Sequence, residues 1–287
     1  MTVTDERARV AGRTVRYRAT GDPANPPVIL LHGIGRSLED FAEQHDLLDD
    51  EYRVYSVDLA GFGESDPLPG RSTLPGIADV VAAFLDQVGE TRPAHLVGNS
   101  LGGAVAMLLA LRHPGRVRSL VLANSAGFGR EVTIVLRLLA LRPLGRLLLR
   151  PSRSSSLRSE QAIFRNRDLV TEARVERALE LSRRPHGAQV MLELSRSLGT
   201  FRGVRRPWRD AVIAATAAAA VPTLVVWGSH DLILPAVHLE AAKRLLPHAR
   251  THLFTDTGHM PQIERAEEFA QLVKEFWATV PDQPVDG

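Results

Sequence analysis

Short apolar runs that alternate with helical patterns constrain the fold of this chain more than any other feature. The runs are uniformly apolar and end at turn residues, which is typical of strands buried on both faces. They occupy residues 27–31, 52–58, 94–97, 117–123, 222–227 and 249–254. Helical periodicity occupies residues 74–88, 101–111, 237–246 and 264–280. This order predicts an α/β fold with a mostly parallel sheet and helices on both faces, preceded by a hairpin turned at Ala11-Gly12.

The alternation is interrupted once, between residues 129 and 220. No convincing strand occurs there, and the helix-like pieces are separated by prolines at Pro143, Pro151, Pro185 and Pro207. We therefore predict a core formed by residues 1–128 and 221–287, and a helical insert at residues 129–220 that covers the core as a lid. Within the insert, the Ser- and Arg-rich residues 150–159 are predicted to be a flexible surface loop.

Positive charge is concentrated in the helical insert. The formal net charge is only +2, but residues 130–210 contain 18 arginines against 8 acidic residues, so the rest of the chain is acidic. The sequence pI of about 9.4 follows from basic residues that are almost all arginine, which stays charged far above neutral pH. Because the basic segment lacks interleaved aromatic residues, no nucleic-acid partner is predicted.

Composition excludes several classes of protein. With no cysteine, the chain has neither disulfides nor thiolate metal sites nor a cysteine nucleophile. Its N-terminus is polar and lacks the apolar segment of a signal peptide. The most apolar stretch, residues 211–227, is short for a membrane span and contains Pro222. A cytoplasmic protein without a transmembrane helix is expected.

The segment Gly98-Asn-Ser-Leu-Gly-Gly103 follows a predicted buried strand and opens a helix of small residues. A G-x-S-x-G pattern in this context is typical of a sharp strand-to-helix turn that exposes the serine above the sheet. The helix N-terminus also favours negative charge that develops nearby. Ser100 is therefore the predicted nucleophile.

A serine nucleophile needs a base and an acid that orients the base. His259 lies in a loop directly after the last predicted strand, whereas His32 is expected to brace a turn and His95 to pack in the core. Asp231 follows the preceding strand and lies 28 residues before His259, so both loops reach the same sheet edge. The rival position for the acid, after the strand that ends at residue 123, has Asn124 and no carboxylate.

The chain order Ser100, Asp231, His259 matches that of α/β-hydrolases. With His32-Gly-Ile-Gly35 and the Gly-rich turn at residues 58–66, it makes the chain resemble the α/β-hydrolase-fold serine hydrolases, esterases and lipases among them. The resemblance covers about 200 residues that flank the insert. It implies an acyl-enzyme mechanism, an oxyanion hole formed by the N–H groups of Ile34 and Leu101, and no metal or organic cofactor.

The sequence leaves the substrate open. We expect a carboxylic ester or a related small acyl compound, with Arg36, Asn99 and Met260 as candidate substrate-binding residues. Asn99 before the serine resembles hydrolases that cleave carbon–carbon bonds of ring-fission products, but Met260 and Arg36 depart from their pattern, so hydrolysis of vinylogous diketones is the alternative. A non-catalytic ligand receptor on the same fold is a further alternative.

The helical insert has three interpretations. Its apolar helices at residues 132–141 and 144–149 are expected to pack over the mouth of the site. Less favoured is a basic amphipathic surface that contacts anionic lipid or a large acyl donor. The third interpretation is that one or two of its arginines bind a substrate carboxylate, and the sequence does not identify which.

Overall fold

A computed structural model describes residues 4–281, except for the side chains of residues 142 and 143. Among these residues, eight strands form one sheet in the order β1-β2-β4-β3-β5-β6-β9-β10, and β7 and β8 form a separate short hairpin. The strands are β1 (Glu6–Val10), β2 (Arg13–Thr20), β3 (Pro27–Leu31), β4 (Arg53–Val57), β5 (Ala94–Asn99), β6 (Val117–Ala123), β7 (Gly199–Thr200), β8 (Gly203–Val204), β9 (Thr223–Gly228) and β10 (Arg250–Phe254). From β4 to β10 the sheet is parallel, whereas β2 pairs antiparallel with β1 and β4. The predicted sheet and hairpin are confirmed.

Helices cover both faces of the sheet. They are α1 (Ala42–Leu48), α2 (Leu74–Gln87), α3 (Leu101–Arg112), α4 (Ile134–Leu139), α5 (Arg142–Leu148), α6 (Arg153–Ile163), α7 (Glu172–Ser182), α8 (Gly187–Leu198), α9 (Arg206–Ala219), α10 (Val237–Leu245), α11 (Pro261–Glu264) and α12 (Ala266–Trp277). Alternate residues of β3 face opposite layers, because side chains alternate along a strand. Ile29 and Leu31 pack with α2 and α3, and Val28 and Leu30 pack with α1 and α12.

The segment between β6 and β9 contains α4 to α9 and the β7–β8 hairpin, and we call residues 129–220 the helical insert. One prediction within it is wrong, because residues 150–159 do not form a loop. Helix α6 begins at Arg153, and the Ser152 hydroxyl caps it by accepting a hydrogen bond from Ser155 N at 3.1 Å. Serine is a preferred N-cap residue, so the serine-rich stretch starts a helix instead of preventing one.

Ion pairs join the basic insert to the acidic core. Arg177 contacts Glu39 at 2.7 Å, and Arg184 contacts Glu64 at 2.8 Å. In the opposite sense, the core Arg36 pairs with Glu160 of α6. The charge asymmetry of the sequence is therefore used at the contact between the two regions.

Within residues 4–281, no helix is long and apolar enough to cross a bilayer.

Candidate active site

Ser100 lies at the turn between β5 and α3. Its φ of 55° and ψ of −114° place a non-glycine residue in a strained region of conformational space. The turn is fixed by hydrogen bonds from Ser100 N to Ala123 O at 3.0 Å and from Ala126 N to Ser100 O at 2.9 Å. Backbone strain that the surrounding structure enforces is common at functional sites, and it supports a nucleophile at this position.

Two glycines make this turn possible. A Cβ atom on Gly98 would lie 2.4 Å from the carbonyl carbon of Gly102, and a Cβ on Gly102 would lie 2.0 Å from Leu31 O. Both distances are far below van der Waals contact with backbone atoms that cannot move away. The spacing of the motif therefore follows from the close approach of β3, β5 and α3 around Ser100.

Asp231 and His259 form a buried pair. Asp231 follows β9 and His259 follows β10, and His259 Nδ1 lies 2.7 Å from Asp231 Oδ2. The other carboxylate oxygen accepts hydrogen bonds from Ile233 N at 2.7 Å and Leu234 N at 2.9 Å, so the carboxylate is fixed in position. Because Nδ1 faces Asp231, Nε2 is the ring nitrogen left to receive a proton from a serine hydroxyl.

Asn124 is a member of the site that sequence reasoning missed. It follows β6, and its Nδ2 donates to Asp231 Oδ2 at 2.6 Å and to Gly258 O at 3.3 Å. Its Oδ1 accepts from Gly228 N at 3.3 Å. Asn124 carries no carboxylate, so the search for an orienting acid excluded it. A buried polar residue at the carboxyl end of a central parallel strand is nevertheless itself a signal of the site edge.

The predicted nucleophile and the predicted oxyanion donors share one cavity. Ile34, Ser100 and Leu101 line a cavity of about 80 Å³, whose opposite wall comes from the helical insert. Within residues 4–281, the backbone N–H groups of Ile34 and Leu101 have no hydrogen-bond partner. In the same part of the chain, no hydrogen bond joins the Ser100 hydroxyl to His259. Donors that are unpaired and adjacent to the nucleophile are what an oxyanion hole requires.

The three candidate substrate-binding residues lie close to the site, but each has protein partners. Asn99 is buried and donates from Nδ2 to His259 O at 3.0 Å and to Ala123 O at 3.3 Å. The Arg36 guanidinium lies between Asp40, at 2.7 Å, and Glu160. Met260 packs in a small apolar cluster with Ile163, Phe164 and Ile263. Their contact with substrate stays a prediction.

The loop that carries His259 is bound to the helical insert. His259 N donates to Ile163 O at 2.8 Å. The Glu264 carboxylate accepts from Gly258 N at 2.7 Å and from Arg165 N and Asn166 N, both at 2.9 Å. Burial raises the pKa of Glu264 above its usual value, although these hydrogen bonds oppose the rise. One carboxylate thus connects the histidine loop to the insert.

Buried histidines outside this pair have structural partners. His32 Nε2 accepts from Leu59 N at 2.9 Å, as expected of a residue that braces a turn. His95 contacts Ser119 Oγ at 2.7 Å and stacks on Trp277. Within residues 4–281, no group of three or more His, Asp or Glu side chains is arranged to hold a metal ion.

Comparison with known proteins identifies the family. A family model described as alpha/beta hydrolase fold matches residues 26–266. The chain belongs to the α/β-hydrolase fold family, and the resemblance given by its motifs is confirmed.

The relatives include proteins of different activities. The dihydrolipoyllysine-residue acetyltransferase component of the acetoin cleaving system of Cupriavidus necator is 35% identical over 93% of this chain and 67% of that protein. The 2-hydroxymuconate semialdehyde hydrolase of a Pseudomonas strain is 32% identical over 92% of this chain and 91% of that protein. Among solved structures, a bacterial membrane phospholipase A superposes with a TM-score of 0.81 at 26% identity, covering 98% of this chain and 87% of that one.

Proposed function

We propose that the protein is a serine hydrolase that cleaves a carboxylic ester or a related small acyl substrate through an acyl-enzyme. One observation carries the proposal. Ser100 and the unpaired N–H groups of Ile34 and Leu101 line one cavity, at the sheet edge that also holds the Asp231–His259 pair. A nucleophile, oxyanion donors and an oriented base are the set of groups that acyl transfer needs.

The proposed reaction has two steps. Ser100 Oγ bonds to the carbonyl carbon and His259 Nε2 takes its proton, while the N–H groups of Ile34 and Leu101 bind the oxyanion. The C–O bond then breaks, and His259 gives the proton to the departing alcohol. In the second step His259 deprotonates a water that attacks the acyl carbon, and Ser100 Oγ recovers the proton as the acid leaves. Asp231 stabilises the charged imidazole throughout.

We also propose that the helical insert acts as a lid. The cavity that holds Ser100 is closed on the insert side by residues from α4, α8, α9 and the β7–β8 hairpin. They include Leu136, Leu198 and Trp208, so the wall opposite the nucleophile is mainly apolar. A wall of this kind excludes water from the acyl-enzyme and selects substrates by shape.

Carbon–carbon bond hydrolysis is the second candidate. It is favoured by Asn99 beside the nucleophile and by the 32% identity to 2-hydroxymuconate semialdehyde hydrolase. Against it, Met260 follows the proposed catalytic histidine and is buried in an apolar cluster.

The two candidates are separated by a substrate panel. Turnover of p-nitrophenyl esters of increasing chain length is measured beside turnover of a vinylogous 1,5-diketone dienoate, with Ser100→Ala as the control for each. Ester turnover that depends on Ser100 supports the proposal. Turnover of the dienoate alone would establish the second candidate, and a ligand receptor would turn over neither substrate.

A further inference from the structure

Two polar groups of the helical insert line the cavity of Ser100 and have no partner for their hydrogen-bonding atoms. Arg137 of α4 donates from Nε to Val132 O at 2.9 Å, and within residues 4–281 its two terminal nitrogens have neither a hydrogen bond nor an ion pair. Ser195 of α8 is only 8% exposed, and its buried Oγ has no hydrogen-bond partner among the same residues. The two groups lie on different helices, and both line one cavity.

Arg137 differs in this respect from three insert arginines that contact the core. Arg174, Arg177 and Arg184 pair with carboxylates of the core at 2.7–2.8 Å. Arg137 instead lines a cavity whose other walls are mainly apolar, including Leu136 and Val204. A half-buried guanidinium without a counter-ion is available to an anionic ligand in this cavity.

The other polar groups of the cavity wall already have partners within the insert. Trp208 Nε1 donates to Leu198 O at 2.8 Å, and Thr200 Oγ1 donates to Gly203 O at 3.3 Å. The free donors on the insert side are therefore the Arg137 guanidinium and the Ser195 hydroxyl. A guanidinium and a hydroxyl that line the same cavity suit a carboxylate, which can accept charge-assisted hydrogen bonds from both.

We propose that Arg137 and Ser195 bind a carboxylate at the far end of a short acyl chain, so that the preferred substrates are monoesters of short dicarboxylic acids. This rests on the proposed function, because Ser100 must attack the ester carbonyl while the distal carboxylate meets Arg137. A short acyl chain is expected because Ser100 and Arg137 line the same small cavity. Arg137 is thus a specificity-determining residue supplied by the insert, whereas the reacting groups belong to the core.

Two esters that differ only at the distal group test the proposal. Monomethyl glutarate carries a carboxylate where methyl 5-methylhexanoate carries an isopropyl group of similar shape. The parent is expected to hydrolyse the glutarate ester with at least about a tenfold higher kcat/KM, since a hydrogen bond to a charged group is worth at least that factor. Arg137→Met is expected to reduce the ratio of the two kcat/KM values by about 10- to 100-fold, mainly through KM of the glutarate ester.

Two further variants keep the test decisive. Ser195→Ala is expected to reduce the same ratio by a smaller factor, and it carries the test if Arg137→Met fails to fold. Arg146→Met is the matched control, because Arg146 is an exposed arginine of the neighbouring helix α5 and does not line the cavity. It should leave the ratio at the parent value.

The outcomes separate this inference from the proposed function. A parent that prefers the isopropyl ester, or an Arg137→Met variant that keeps the parent ratio, overturns the carboxylate subsite. If a fluorophosphonate probe still labels Ser100 in that case, the serine hydrolase proposal survives. A parent that the probe does not label removes the proposed function itself.

Discussion

The core and the helical insert differ in how completely they bury their apolar side chains and in how far polar contacts hold them. In the core, β3 and β5 are wholly buried and their apolar side chains pack on helices of both layers. The insert also buries apolar side chains against the core, Val190 and Ile213 among them, but it exposes others such as Ile134. Ion pairs and the hydrogen bonds of Glu264 join it to the core as well. The proposed reacting groups thus lie in the wholly buried core, while the cavity wall opposite Ser100 lies in the insert, which polar contacts help to fix.

This difference assigns separate roles to the two regions. Turn strain and buried hydrogen bonds within the core hold Ser100 and Asp231 in place, and the loop of His259 has additional contacts to the insert through Ile163 and Glu264. Substitutions of the proposed reacting groups in the core should therefore reduce kcat, and substitutions in the insert or at its contact with the core should change substrate preference or stability. The following predictions test that division, beginning with the largest effect.

Removal of the nucleophile is expected to have the largest effect. Ser100→Ala should lower kcat for the preferred ester by about 10⁵-fold or more, because no other group can form the acyl-enzyme. The exposed Ser197→Ala on α8 is the control, since its hydroxyl contacts only the carbonyl of Leu194 in its own helix, at 3.0 Å. Steady-state kinetics measures kcat for both variants. A comparable loss in both would contradict the assignment of Ser100 as the nucleophile.

Changes around the orienting acid come next. Asp231→Asn should lower kcat by about 10⁴-fold, because the amide no longer stabilises the charged imidazole or its tautomer. Asn124→Ala should lower kcat by a smaller factor, since Asn124 contacts Asp231, the Gly258 carbonyl and Gly228 N and none of the proposed reacting atoms. The pH profile of kcat distinguishes a positioning role from a merely structural one. An Asn124 effect larger than that of Asp231 would contradict the assignment.

Breaking the buried ion pair between the regions should destabilise the protein more than breaking an exposed one. Arg36→Met leaves the fully buried Glu160 carboxylate without its cation and should lower the free energy of unfolding by about 3–5 kcal/mol. Arg184→Met removes a partner from the more exposed Glu64 pair and should cost less than about 1 kcal/mol. Urea denaturation measures both values, and equal losses would show that the Arg36 contact does not anchor the insert.

The last prediction concerns the buried His95 of the core and the pH dependence of the free energy of unfolding. Burial lowers the pKa of His95 to about 3, with Arg118 adding to the effect, so the folded core holds the imidazole neutral. The unfolded chain binds a proton near pH 6.5, so this contribution to stability is complete above pH 6.5 and is lost as the pH falls towards 3. Between pH 7 and 5 the loss is about 2 kcal/mol.

A substitution isolates the contribution of His95 to the pH dependence of stability. His95→Gln should reduce the change in unfolding free energy between pH 7 and 5 by about 2 kcal/mol relative to the parent. The exposed His248→Gln is the matched control. A parent-like pH dependence in His95→Gln would show that His95 is not the source of this pH dependence of the free energy of unfolding.

Local sequence signals predicted the core well because its constraints are local. A buried strand such as β3 needs a continuous apolar run, and the turn at Ser100 needs glycines at fixed positions. The Asp231–His259 contact also followed from chain order, since both residues come after neighbouring parallel strands.

The insert was predicted less well because its structure depends on contacts that are distant in sequence. The serine-rich start of α6 was assigned to a loop, although Ser152 caps the helix. The sequence could not show which arginines have carboxylate partners. Arg177 finds Glu39, 138 residues away, and Arg137 has no such partner among the described residues. Asn124 was missed for a related reason, because its role depends on Asp231, 107 residues away.

The central claim is that Ser100 is the nucleophile of a serine hydrolase, and covalent labelling tests it most directly. The intact protein is treated with a fluorophosphonate probe, its mass is measured, and the adduct is mapped by peptide sequencing. We predict one adduct on Ser100 in the parent and none in Ser100→Ala. An unlabelled parent, or labelling that persists in Ser100→Ala, would contradict the claim.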